Sequence, residues 1–207
     1  MFISFEGTEG VGKSTLIATL HQILSQRYAV VLTREPGGTP LAEKIREILL
    51  QPDQEKMSDS TELLLIYAAR AQHVEQVILP ALQQNKIVLC DRFVDASIAY
   101  QYGGRGMDRG KIDILTQNFV KQLPAITFWL DAPVALGLQR AQKRGELDRF
   151  EQEKLEFFNG VRVAYQELAE QEPDRIIRID ATQQPEDIAA QALAQIEQRL
   201  KHPETFG

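Results

Sequence analysis

Short uninterrupted apolar runs alternate along this chain with longer stretches whose apolar residues recur every three or four positions. Phe2 to Phe5, Ala29 to Leu32, Ile87 to Cys90, Ile126 to Leu130 and Arg175 to Ile179 are the short runs, and they predict five strands. Between them, Ser14 to Gln26 carries Leu16, Ile17, Leu20, Ile23 and Leu24 in a helical stripe. Leu41, Ile45, Ile48 and Leu49 mark the apolar face of a shorter helix. Asp59 followed by Glu62 predicts a capping box that opens a long helix through Leu64, Tyr67, Ala71, Val74 and Ile78, bent or broken near Pro80. A last helix begins at about Pro185. Strands this short and this apolar, separated by helices, predict an α/β fold: a five-stranded parallel sheet covered by helices on both faces. No internal repeat or low-complexity linker divides the 207 residues, which predicts a single domain. Ligands in such folds bind beyond the C-terminal ends of the strands.

Composition narrows the function classes. A hydrophobic fraction of 43% and a charged fraction of 25% are those of an ordinary soluble globular protein. The formal charge of −6 argues against nucleic acid as a general partner. The single cysteine, Cys90, excludes an intrachain disulfide and lies in an apolar run, which predicts a buried packing role. No run approaches the ~18 apolar residues of a membrane span, and no basic-then-apolar leader precedes the first strand, so a cytoplasmic location is the expectation.

The first strand leads directly into Gly7-Thr8-Glu9-Gly10-Val11-Gly12-Lys13-Ser14, which fits G-x-x-x-x-G-K-[ST]. Its glycines let the backbone wrap a di- or triphosphate with N–H groups pointing inward, at the positive end of the helix behind. Lys13 is expected to reach the β- and γ-phosphates, and the Ser14 hydroxyl to sit on Mg²⁺. The third strand ends in Asp91-Arg92. A carboxylate there, beside the strand of the phosphate loop, organises Mg²⁺ directly or through water, and the arginine faces the same crevice. Thr33-Arg34-Glu35-Pro36-Gly37-Gly38-Thr39 makes a tight shaped turn after the second strand, for which a cis peptide at Glu35-Pro36 is expected. Ser97 and Gln101, four residues apart on one helical face, offer the paired donors and acceptors that a nucleobase edge needs, and Arg70 lies near Tyr67 on the long helix. Arg140 to Arg149 concentrates positive charge in an acidic chain, with Gly145 placed to end a helix, which suits an arginine-bearing lid at about residues 140–152.

Taken together, these stretches resemble the thymidylate kinases, bacterial form, within the P-loop nucleoside monophosphate kinases. The resemblance is carried by Phe5 to Thr15, Thr33 to Thr39, Tyr67 to Gln72, Asp91-Arg92-Phe93 running to Ala99-Tyr100-Gln101, Gly104-Arg105-Gly106 and Arg144 to Arg149. It implies an ATP- and Mg²⁺-dependent kinase that makes dTDP from dTMP on the way to dTTP, and a homodimer. Residues Gly7 to Thr15 would bind the ATP phosphates, with Arg140 near adenine. Glu9 would approach the 3′-hydroxyl of dTMP. Arg92, with Arg34 or Arg46 and the Pro36 turn, would surround the acceptor phosphate, and Arg70, Ser97 and Gln101 would read thymine. Lid arginines Arg144 and Arg149 would reach the transferring phosphate, alongside Lys13, Asp91 and Arg92. Many members of the family place a Phe against thymine where this chain has Ile66, with its ring one residue later at Tyr67. Either Tyr67 takes over the stacking or Ile66 supplies a flatter apolar contact.

Two rival readings are weaker. A small GTPase would need N-K-x-D, and Asn85-Lys86 runs into the strand Ile87-Val88 instead. A binding module without turnover has little need of lid arginines or of an Asp-Arg pair at the strand edge.

Overall fold

Successive side chains of a strand point to opposite faces, so a strand that is apolar throughout must be covered on both sides. The central strands meet that demand, whereas the two edge strands leave side chains such as Leu32 exposed. The computed structural model of the chain describes residues 1–51, 55–143 and 148–201. Strand β1 (Phe2–Glu6) leads into α1 (Lys13–Leu24), then β2 (Val30–Arg34), α2 (Pro40–Leu50) and α3 (Asp59–His73). Helix α3 runs through a π-helical turn (Val74–Ile78) into α4 (Leu79–Gln83) and β3 (Ile87–Asp91). Short α5 (Val94–Ser97) continues into a π-helical segment (Ile98–Gly104), then α6 (Arg109–Phe119) and β4 (Ile126–Asp131). Helices α7 (Val134–Gln142) and α8 (Leu155–Gln171), β5 (Ile176–Asp180) and α9 (Pro185–Lys201) complete the order. The five-stranded sheet has the order β2-β3-β1-β4-β5, and every neighbouring pair is parallel. The predicted strands and sheet class therefore hold, with strand ends shifted by a residue or two.

Two apolar clusters sandwich the sheet. On one face Ile3, Phe5, Leu89 and Phe128 pack against Leu16 and Leu20 of α1 and Ala192 and Ile196 of α9. On the other, Phe2, Val88, Cys90 and Trp129 pack against α3 and α8. Cys90 is fully buried, as its apolar run predicts. The π-helical segment approaches α8 so closely that a Cβ on Gly103 would lie 2.6 Å from the Gly160 carbonyl oxygen, and one on Gly160 would lie 2.3 Å from that of Gly103. Two facing glycines thus permit the contact that seats this segment beside the site.

One local expectation is corrected. The N-cap of α3 is Ser58, which has an extended backbone and whose Oγ accepts the Thr61 N–H at 3.2 Å; Asp59 is instead the first helical residue, where its charge suits the helix dipole. Glu62 is buried and does not close a capping box. Helix α7 ends at Gln142, with Lys143 as its cap, and the Gly145 stop falls outside the described residues. The break near Pro80 takes the form of the π-helical turn just before it, closed by the Leu79 N–H on the Val74 carbonyl. Pro80 has no N–H to give the preceding turn and crowds it, and the wider turn relieves both.

Candidate active site

The C-terminal edge of the sheet comes together because Phe5, Asp91 and Arg34 are register partners across β1, β3 and β2. Above this edge lies a cavity of about 790 Å³, within the range of nucleotide- and drug-sized sites. Its floor is the glycine loop. Gly7, Gly10 and Gly12 all have positive φ, at 136°, 69° and 97°. A Cβ on Gly10 would lie 2.0 Å from the carbonyl oxygen of Gly137 on α7, so the loop is clamped from behind as well as shaped from within. Lys13 Nζ donates to the carbonyls of Gly7 and Thr8, each at 3.1 Å, and burial followed by the nearby Arg92 charge lowers its pKa. Glu9 to Thr15 line the cavity, while Gly7 and Thr8 are the loop residues that hold the lysine.

Asp91 and Arg92 lie where the strand edge predicts. Arg92 adopts φ 66°, and its guanidinium donates to the Gly7 carbonyl at 2.9 Å and to Glu9 Oε1 at 2.5 Å. Its guanidinium carbon sits 4.7 Å from the centre of the Tyr100 ring, and the Tyr100 hydroxyl donates to the same Glu9 oxygen at 2.9 Å. Burial opposes the Arg92 charge, but Glu9 together with Tyr100, Tyr165 and Asp91 outweighs it and raises the pKa. Asp91 Oδ1 is buried with no hydrogen-bond partner among the described residues, and the Ser14 hydroxyl lines the same cavity. One carboxylate and one hydroxyl beside a phosphate cradle fit Mg²⁺, which takes few protein ligands and keeps waters and phosphate oxygens. Arg46 reaches the acceptor turn through a bond to the Pro36 carbonyl at 2.9 Å. Arg34 is paired with Glu43 at 2.8 Å and lines the cavity at its exposed rim. The Glu35-Pro36 peptide is cis, as expected.

The far wall is made of side chains rather than backbone. Arg70 is almost fully buried and donates to Glu35 Oε2 at 2.6 Å, Ser97 Oγ at 3.0 Å and the Phe93 carbonyl at 3.0 Å. Glu35 Oε1 meets His73 Nδ1 at 2.9 Å, and His73 Nε2 meets Thr33 Oγ1 at 2.5 Å. Gln101 gives its Nε2 to Glu62 Oε1 at 2.9 Å, while its Oε1 is buried and has no partner among the described residues. Ile66 lines the cavity beside them. Tyr67 does not: its ring packs in the core and its hydroxyl bonds Thr116 Oγ1 at 2.6 Å. Of the two candidates for an apolar contact, Ile66 lines the cavity, whereas Tyr67 does not and serves as a strut between α3 and α6.

At the donor end, Arg140 and residues Ala181 to Pro185 close the cavity, with Arg140 Nη1 3.5 Å from the Ala181 carbonyl. Arg149 is held away from this end. Its Nε donates to the Leu49 carbonyl at 2.7 Å and its Nη2 lies 2.6 Å from Glu62 Oε2. Arg144 lies outside the described residues. The sequence reading missed Glu62, His73 and Glu6. Glu6 ends β1 beneath the cavity and accepts from the Phe93 N–H and the Tyr165 hydroxyl, each at 2.7 Å. Burial, with the nearby Asp95 charge, pushes its carboxyl up to about 8.

A phosphate loop feeding a helix, an Asp-Arg pair at the next strand edge and a second, side-chain-lined compartment in one cavity define a P-loop phosphotransferase with separate donor and acceptor ends. Residues 5–192 match the model of the thymidylate kinase family. The chain is 64% identical over 195 residues to a thymidylate kinase of Acinetobacter baumannii (strain SDF), covering 93% of this chain and 98% of that one. It is 48% identical over 204 residues to a thymidylate kinase of Psychrobacter sp. (strain PRwf-1), covering 96% and 98%. The crystal structure of thymidylate kinase from Ehrlichia chaffeensis superposes with a TM-score of 0.80 at 34% identity, over 95% of this chain and 98% of that one. The chain belongs to the thymidylate kinase family.

Proposed function

We propose that the chain transfers the γ-phosphoryl group of ATP to dTMP, giving ADP and dTDP for nucleotide biosynthesis. The observation that carries this reading is that one cavity joins the phosphate loop to a buried wall where Gln101 Oε1 has no partner among the described residues. A buried unpaired acceptor costs about 1–3 kcal/mol, which a ligand donor recovers. Thymine has such a donor at N3–H, and its O4 can accept a remaining N–H of Arg70, three of whose five are engaged by protein. Ile66 packs on the base, Ser97 holds Arg70, and Glu9 meets the 3′-hydroxyl.

In the reaction, an oxygen of the dTMP phosphate attacks the γ-phosphorus. The bond from that phosphorus to the β–γ bridging oxygen breaks, and ADP leaves with the electron pair. Residues Gly7 to Thr15 cradle the donor phosphates, with Lys13 exchanging its loop carbonyls for phosphate oxygens. Arg92 and Arg46, with Arg34 at the rim, hold the acceptor phosphate beside the Pro36 turn. Ser14, with Asp91 directly or through water, would hold Mg²⁺, which would supply charge neutralisation for the transferring phosphate. Arg140 borders adenine. The glycine loop contains no arginine, so Arg144 is assigned the charge on the transferring group, with Arg149 as its neighbour in a lid at about residues 140–152 of one kinase domain.

The enzyme is further proposed to act in the cytoplasm as a homodimer. Leu41 and Ile48 of α2 and Leu64 of the adjoining α3 are exposed apolar side chains that a second copy would cover. No helix among the described residues is long and apolar enough to cross a membrane. A coupled ADP-release assay tests the reading. Turnover must require dTMP, and dCMP must be a poor acceptor. ADP release without a monophosphate, or equal rates with dTMP and dCMP, would overturn it.

A further inference from the structure

We propose that Glu62 is a specificity-determining residue: it fixes which end of the Gln101 amide faces the base, and so sets the preference for thymine over cytosine. The proposal rests on the reading of Gln101 as a thymine contact. A glutamine amide is nearly symmetric in shape but opposite in chemistry, with a donor on one arm and an acceptor on the other. Left alone, Gln101 would present either arm to a ligand. It is not left alone. Glu62 Oε1 lies 2.9 Å from Gln101 Nε2, and both residues are about 1% exposed.

An ionised carboxylate only accepts hydrogen bonds, so the arm facing Glu62 must be the NH₂. Turning the amide over would set two buried acceptors against each other with no proton between them. Two arginines keep the carboxylate ionised. Arg105 donates through Nε and Nη2 at 3.3 and 3.1 Å, and Arg149 Nη2 stands 2.6 Å away. Burial pushes the Glu62 carboxyl up, but the hydrogen bonds and charge of Arg105, with Gln101 and the Arg149 charge, together outweigh it and hold it below its ordinary value.

The consequence for the base is direct. With NH₂ committed to Glu62, Gln101 offers the cavity its carbonyl oxygen, the atom that is buried and unpaired. Thymine N3 carries a hydrogen and satisfies it. Cytosine N3 carries a lone pair and opposes it. Glu62 touches no substrate in this arrangement and acts through Gln101. Discrimination thus comes from a penalty against the wrong base as well as a bond to the right one.

The test is to measure kcat/KM for dTMP and dCMP in Glu62→Gln and in Gln101→Ala. The amide of Glu62→Gln can present either arm to Gln101, so Gln101 becomes free to turn. We expect kcat/KM for dTMP to fall by about three- to tenfold and that for dCMP to rise by a similar factor, the worth of one neutral hydrogen bond. A gain with dCMP is a result that structural damage does not produce. If Glu62→Gln melts below the assay temperature, Glu62→Asp takes its place. It keeps charge for the arginines but shortens the reach to Gln101, and it should raise the dCMP:dTMP ratio by about twofold or more. A folded variant in which both substrates fall together overturns the proposal, provided that Gln101→Ala does relax the base choice. If Gln101→Ala leaves the base choice unchanged, the reading of Gln101 falls and this proposal with it.

Discussion

The two ends of the cavity are built on different principles. The donor end is a backbone structure. Gly7 to Ser14 follow one another in sequence, and what they offer a phosphate is N–H groups, a helix terminus and one lysine. The acceptor-base end is a side-chain structure. Arg70, Glu35, His73 and Thr33 form one chain of hydrogen bonds, and Gln101, Glu62 and Arg105 form another, with Arg149 ion-paired to Glu62. A backbone cradle recognises what all nucleoside triphosphates share. A side-chain wall can tell one base from another, because each of its groups has a fixed donor or acceptor sense held by a buried partner. The difference predicts that damage at the donor end costs rate, whereas damage at the acceptor end costs stability and selectivity.

The largest expected effect belongs to Arg144. With no arginine in the glycine loop, Arg144→Ala should lower kcat by ~10³-fold or more, as arginines do on transferring phosphoryl charge. KM for both nucleotides should stay within a few-fold. Steady-state kinetics decides: normal kcat with raised KM would move the role to Arg149 or Arg140. Next comes Lys13→Ala, for which we expect kcat to fall by ~10²–10³-fold while dTMP still binds. Calorimetry with each nucleotide separately checks the second half. Loss of dTMP binding together with ATP binding would show that the two ends are not separable.

The acceptor end should answer differently. Glu35→Gln leaves the buried Arg70 guanidinium without its counter-charge, and breaking one partner of a buried pair costs about 3–5 kcal/mol. Thermal melting should show a large drop in Tm. Near 20 °C, dTMP affinity should fall with ATP affinity within a few-fold of normal. Equal losses for both nucleotides would erase the distinction between the two ends.

The same difference explains what the sequence could reveal. The glycine loop, the strand-end Asp91-Arg92 pair and the parallel sheet are written in consecutive residues, and the structure places them as expected. The buried wall joins residues far apart: Gln101 to Glu62 across 39 positions, Arg70 to Glu35 across 35, His73 to Thr33 across 40. Nothing local distinguishes such a carboxylate from a helix-capping one, and Glu62 reads as a cap for that reason. Ile66 and Tyr67 show a second limit. One residue turns a helix by about 100°, and both side chains are apolar enough to face the core. Only the packing of α3 on α6, with Tyr67 bonded to Thr116, decides that Tyr67 faces inward and Ile66 faces the cavity.

The smallest effect sharpens the comparison at the seam between the two ends. Glu6 closes β1 just before the glycine loop and binds the Phe93 N–H in the turn that carries Arg92 and leads to Ser97. Its carboxyl is pushed up to about 8 from an ordinary 4.5, first by burial and then by Asp95. Between those values the folded chain holds a proton that the unfolded chain has released. The unfolded state binds fewer protons there, so this group's contribution to stability is complete below about 4.5 and is lost as pH rises toward 8. Glu6→Gln removes the ionisation and keeps the shape. Its carbonyl can accept from Phe93, and its amide can donate to the Tyr165 oxygen. Relative to the parent, the variant should therefore gain stability by about 1 kcal/mol per pH unit between pH 5 and pH 8. Urea unfolding of both proteins at each pH measures the difference directly. Parallel curves would mean that Glu6 is already ionised in the fold, and that the seam carries a charge rather than a proton.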